Sequence, residues 1–122
     1  ESGQKIYGTA IMVNEAIYKA VEDLVEARRL DVIQVVGKEE PVTAYEILER
    51  KGELPQLAQD VVELYNKGLE FYDRFEFAEA QRLFEQAVDV DPTDGPAALY
   101  ADRCEDYVEN PPTDLVFRAE SK

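Results

Sequence analysis

Histidine is absent from this 122-residue chain, cysteine occurs once, at Cys104, and basic residues are outnumbered 27 to 13 by acidic ones. Each shortage excludes something. Without histidine there is no Ser–His or Cys–His arrangement for nucleophilic catalysis, and a zinc site loses its commonest nitrogen ligand. A single cysteine forbids an intramolecular disulfide and fits a reducing, cytoplasmic setting. The net charge of −14 opposes binding to a phosphate backbone, where affinity comes from Lys and Arg displacing counterions. It equally opposes docking on an anionic membrane surface. No apolar run approaches the ~20 residues that span a bilayer, no signal peptide opens the chain, and no glycine-rich phosphate loop is present. The chain opens on Glu1, as a piece of a longer protein would.

What is present is a folding composition: 45% hydrophobic and 33% charged residues suit a globular chain. The charge is uneven. Residues 1–50 carry ten acids and six bases, and residues 51–122 seventeen and seven.

The first half reads as strand, helix and hairpin. Ala10–Val13 is a short apolar run. Asn14 follows as an N-cap and Glu15 suits the helix dipole. Ile17, Val21 and Leu24 recur at spacings of four and three, with Ala20 beside them, which predicts one face of a helix from about Glu15 to Leu24. Leu30, Val32 and Val36 alternate with Ile33 and Val35 as a strand buried on both faces. Gly37–Pro41 makes a turn, and Val42–Leu48 returns as a second β-rich run. Three strands and one helix make a thin core for ~50 residues, so this half looks like the end of a larger α/β layer.

"ERKGEL" at 49–54 reads as a junction, and the rest is helical until Pro111 and Pro112. Pro55 suits a first helical turn. A second helix carries Phe77, Ala80, Leu83, Phe84, Ala87 and Val88. A third is capped by Asp94 with Pro96 in its first turn, its apolar face including Ala97, Tyr100, Ala101 and Cys104. Leu115–Phe117 is an apolar trio expected to dock on these helices. Asp89, Asp91 and Asp94 lack the spacing of a calcium loop and read as caps and solvated charges.

Residues 61–94 make a 34-residue unit that resembles a tetratricopeptide repeat (TPR). Gly68, Phe71, Ala80, Phe84, Ala87 and Pro92 match its signature, while Leu64 stands where an aromatic is usual and Lys67 where leucine is usual. The physical expectation is that Gly68 and Ala80 let two helices approach closely, that Phe71 and Phe84 fill the space between them, and that Pro92 ends the second helix. The resemblance implies a protein or peptide partner, and the acidic balance implies a neutral or basic one.

The first half resembles the end of the class III adenylate/guanylate cyclase catalytic domain. Tyr7, Gly8, Thr9, Ile11, Val13 and Glu15 match one family segment; Arg28, Leu30, Asp31, Val35, Gly37, Lys38, Pro41, Val42, Tyr45, Glu46 and Leu48 match the last hairpin. The resemblance implies a parent that forms cyclic nucleotide from ATP or GTP in signal transduction, with two Mg or Mn ions held by two aspartates. In the family those aspartates, and the Asn and Arg that serve the transition state, all precede the segment matched by Tyr7–Thr9, so no catalytic or metal-binding residue is expected in this chain and no cofactor of its own. One family contact falls inside it: Lys38 matches a turn lysine that touches nucleotide phosphates in some members, although Val36 replaces its companion lysine. The alternative is a solvated turn lysine beside Glu39 and Glu40.

The resulting expectation is an α+β chain. Residues 1–50 form a βαββ remnant of a ferredoxin-like cyclase sheet, and residues 51–122 an all-α TPR-like hairpin with a capping helix and tail. It is a non-catalytic piece of a cyclase whose helical part serves interaction, regulation or dimerisation, and its uncovered sheet predicts a homodimer. The competing reading is a stand-alone TPR-type adaptor with no cyclase parent.

Overall fold

A computed structural model of the chain describes residues 11–35, 37 and 39–118. The fold is α+β. It divides into two compact units, the first running to Leu54 and taking in the segment from Asp114 onward, the second Pro55–Thr113.

In the first unit, strand β1 (Met12–Asn14) leads into helix α1 (Glu15–Val21), followed by β2 (Val25–Gln34), β3 (Val42–Arg50) and the two-residue β4 (Phe117–Arg118). The sheet order is β1-β3-β2-β4, antiparallel except for the parallel β2–β4 pair. Asn14 caps α1 as its sequence position predicts, Oδ1 accepting from the Ile17 N–H at 2.8 Å.

The helix ends at Val21, three residues before Leu24, because β2 already begins at Val25. Its apolar side is open: Ile17 is 51% exposed, and Leu24, in the turn that follows, 66%. The helix meets the sheet instead through Tyr18, whose ring stacks on Tyr45 with centroids 4.2 Å apart. Strand β2 is longer than its apolar alternation suggests and contains register shifts at Glu26/Ala27 and Arg29/Asp31. The second shift lets buried Leu30 and buried Asp31 follow each other in the strand.

The last described residues form a strand of the sheet. Phe117 pairs with Ile33 and Arg118 with Gln34. After two prolines, an extended segment satisfies its backbone groups on the otherwise open side of β2, a pairing that the apolar trio Leu115–Phe117 did not predict.

The second unit consists of α2 (Gln56–Asp73), α3 (Phe77–Val90) and α4 (Gly95–Glu109). Asp94 caps α4, accepting from the Ala97 N–H at 3.1 Å, with Pro96 in the first turn. The α2–α3 connection is a Schellman turn: Glu76 N–H donates to Phe71 O at 2.9 Å and Phe75 N–H to Tyr72 O at 3.0 Å. The core of this unit is aromatic. Tyr65, Phe84 and Tyr100 are buried together, Phe84 stacking on Tyr100 at 5.0 Å and Tyr65 meeting both edge-on. Among the described residues no helix is long and apolar enough to cross a membrane.

Candidate functional site

Two regions carry the residues singled out by the sequence: the β2–β3 hairpin and the helical trio.

The hairpin turn contains Gly37 at φ +87, a left-handed conformation that suits glycine, and Glu39 and Glu40 are exposed beside it. Lys38 lies outside the described residues, as does Val36. Below the turn, the register sets Arg28 opposite Glu46 and Asp31 opposite Ala44. Arg28 Nε donates to Glu46 Oε1 at 2.8 Å, with both side chains less than a tenth exposed. Asp31 is also buried, its Oδ1 accepting from the Val32 N–H at 3.0 Å.

On the opposite face Tyr45, packed against Tyr18, has its phenol pKa raised first by burial and then by Glu15. Among the described residues no three acidic, cysteine or histidine side chains converge where an ion would be held.

In the helical trio, the expected close approach is present at Gly68. A Cβ placed there would stand 2.8 Å from Phe84 Cε1. Ala80, Phe84 and Ala87 are fully buried, Leu64 is half-buried, and Pro92 is exposed just past the end of α3.

Phe71 does not fill the space between the helices. It is half-buried, with the Arg74 guanidinium 4.8 Å from its ring centroid. Tyr65 and Tyr72, one residue further along each turn, take that place, because α4 covers the side of α2 on which they lie: Tyr100 meets them at 5.8 and 4.9 Å. Their seven-residue spacing is visible in the sequence and would have found them, had the position of α4 been known.

Around the α2–α3 turn, Phe75, Phe77, Tyr107, Val108 and Pro111 line an open cleft of about 500 Å³, with Glu76 and Glu79 also lining it. Cys104 is fully buried in α4, and burial pushes its thiol up to about 12 against a weaker downward pull from Arg103. A thiol so placed is a poor nucleophile.

No protein-family model matches the chain, and no solved structure matches it significantly. The chain is 30% identical over 105 residues to the terminal-differentiation-specific adenylate cyclase of Dictyostelium discoideum. The match covers 82% of this chain and 5% of that much longer protein. Residues 1–50 are well under half of the chain, so a match of that extent reaches deep into the helical unit as well as the sheet.

Proposed function

We propose that this chain is the C-terminal part of a class III adenylate/guanylate cyclase. In this reading the sheet unit is the closing βαββ piece of the catalytic fold, and the helical unit is a TPR-like interaction module. The carrying observation is the extent of the similarity to an adenylate cyclase, which takes in both units and not the sheet alone. A stand-alone adaptor that merely borrowed a hairpin would not be expected to share its helical part with a cyclase.

The Arg28–Glu46 pair supports the same reading. Both residues belong to the resemblance, and they stand opposite each other across the hairpin. The catalytic metal ligands belong to the rest of such a protein, so these residues alone form no cyclic nucleotide. Lys38 remains the one candidate for a phosphate contact, acting as a point charge on the turn. The single buried thiol suits a reducing cytoplasm.

The test is an assay of cyclic nucleotide formation from ATP and GTP, with Mg²⁺ or Mn²⁺, by a protein extended N-terminally to a full catalytic domain. The comparison protein has residues 55–113 replaced by a short linker, which keeps Phe117 and Arg118 for the sheet. Cyclic product is expected, at a rate that changes when the helices are removed. No product from a well-folded extended protein would reject the cyclase parentage.

A further inference from the structure

The turn between α2 and α3 places an aromatic residue where glycine is the usual occupant. Phe75 is the left-handed residue of the Schellman turn, at φ +63. A residue with a side chain is strained in that conformation, yet Phe75 is 43% exposed. It is held at 5.3 Å from Phe77, which in turn meets Tyr107 edge-on at 5.2 Å. Val108, 45% exposed, and Pro111 complete an apolar floor that is open to solvent.

The charge around this floor has one sign. Residues 55–113 contain fourteen acids and four bases. The bases nearest the cleft are engaged: Arg74 pairs with Glu76 at 3.5 Å, Arg82 pairs with Glu79, and Arg103 reaches the Tyr72 hydroxyl at 3.3 Å. Glu105, Asp106 and Glu109 are exposed on the same end of α4 that supplies Tyr107 and Val108. An apolar occupant that also carries negative charge would be repelled, and one that carries Lys or Arg would be drawn in over ring faces.

We infer that the Phe75–Phe77–Tyr107 cleft is a docking site for a linear peptide segment in which apolar residues alternate with lysine or arginine. The inference rests on reading the helical unit as an interaction module and is independent of the cyclase kinship. The apolar side chains fill the aromatic floor, and the cations lie toward the acidic end of α4, since Glu76 and Glu79 already hold Arg74 and Arg82. Phe75 works as an aromatic edge on a backbone fixed by two turn hydrogen bonds, its ring already resting against Phe77.

The test uses the full 122-residue chain and three fluorescein-labelled ten-residue peptides: alternating Lys–Leu, alternating Glu–Leu and alternating Lys–Ser. Fluorescence anisotropy is expected to show binding of Lys–Leu that weakens with added salt, with the other two at least about tenfold weaker. Phe75→Gly removes the ring and suits the turn, so circular dichroism is expected to stay unchanged while Lys–Leu affinity falls about fivefold or more.

Equal binding of Glu–Leu, or unchanged Lys–Leu binding by folded Phe75→Gly protein, would overturn the inference. So would self-association, seen by sedimentation, that Phe75→Gly abolishes, since the occupant would then be a second copy of the chain. If removing residues 55–113 alters cyclic nucleotide formation while no peptide binds the cleft, the interaction module stands and this site falls.

Discussion

Arg28 and Glu46 are eighteen residues apart in the chain and joined at 2.8 Å between β2 and β3, both nearly sealed from water. A buried pair of this kind holds little surplus stability as a pair, because both ions have lost their hydration. Its asymmetry is the informative property: removing the carboxylate takes away the guanidinium's 2.8 Å partner while leaving the cation shut away from water. Glu46→Ala is expected to destabilise the chain by about 3–5 kcal/mol. The double replacement Arg28→Met with Glu46→Leu is expected to recover most of that loss. Urea unfolding of the two variants checks both numbers. A single variant that loses less than the double would show that the pair does not behave as a sealed unit.

Gly68 faces two opposed effects. Alanine in a helix interior is favoured over glycine by about 1 kcal/mol. The new methyl, however, would stand 2.8 Å from Phe84 Cε1, inside any real carbon–carbon separation. Phe84 is fully buried and stacked on Tyr100 at 5.0 Å, so its ring has nowhere to retreat. Overpacking of this kind costs about 1–3 kcal/mol, and the steric effect wins. Gly68→Ala is expected to lower the melting temperature, and adding Phe84→Leu to restore part of it. Thermal unfolding followed by circular dichroism distinguishes this from the gain expected at an open helical glycine.

The features that local chemistry decides were legible in the sequence. Asn14 and Asp94 cap the helices that follow them because a cap needs only its own first turn. Gly68 is legible because its place in a 34-residue period implies a close crossing. Features that depend on a neighbour were not legible. Ile17, Val21 and Leu24 recur at helical spacing, yet Ile17 in α1 and Leu24 in the turn after it are exposed, since periodicity shows which side is apolar and not whether anything covers it. Tyr72 rather than Phe71 is buried because of where α4 lies. Strand β4 has two residues and no period to read; only the open side of β2 makes it a strand. In the candidate cleft, Phe75 had no signal beyond its place in a turn, because its left-handed backbone is a property of the Schellman hydrogen bonds.

Cys104 ties stability to alkaline pH. Its thiol is raised from an ordinary value near 9 to about 12 by burial. The unfolded chain therefore releases this proton first as pH rises. The contribution is fully present below about pH 9 and is lost progressively toward pH 12, with a limiting slope of about 1.4 kcal/mol per pH unit. Cys104→Ala removes the effect and adds only a pH-independent packing loss. The stability difference between the two proteins, measured by urea unfolding, is expected to shift against the wild type above pH 9. A difference that stays constant across that range would mean that the thiol titrates alike in both states. A disulfide thiol reagent at neutral pH is expected to label Cys104 only once urea unfolds the helical unit.

The sheet unit leaves apolar surface without cover. Ile11 is 50% and Val42 44% exposed. With Met12, Ile33, Val35 and Ala44, Val42 also lines a shallow and almost wholly apolar depression. Among the described residues, β1, at the end of the sheet order, is three residues long and pairs with β3 alone. A short edge beside an apolar depression invites a second sheet, and two copies meeting there in twofold fashion would shield the same surface on each. The isolated chain is expected to run as a dimer by light scattering at tens of micromolar. Val42→Lys, which adds a charge to the depression without entering the Arg28–Glu46 site, is expected to shift it to the monomer. A monomer mass for the unaltered chain would exclude self-association, and a dimer indifferent to Val42→Lys would move the interface away from this face.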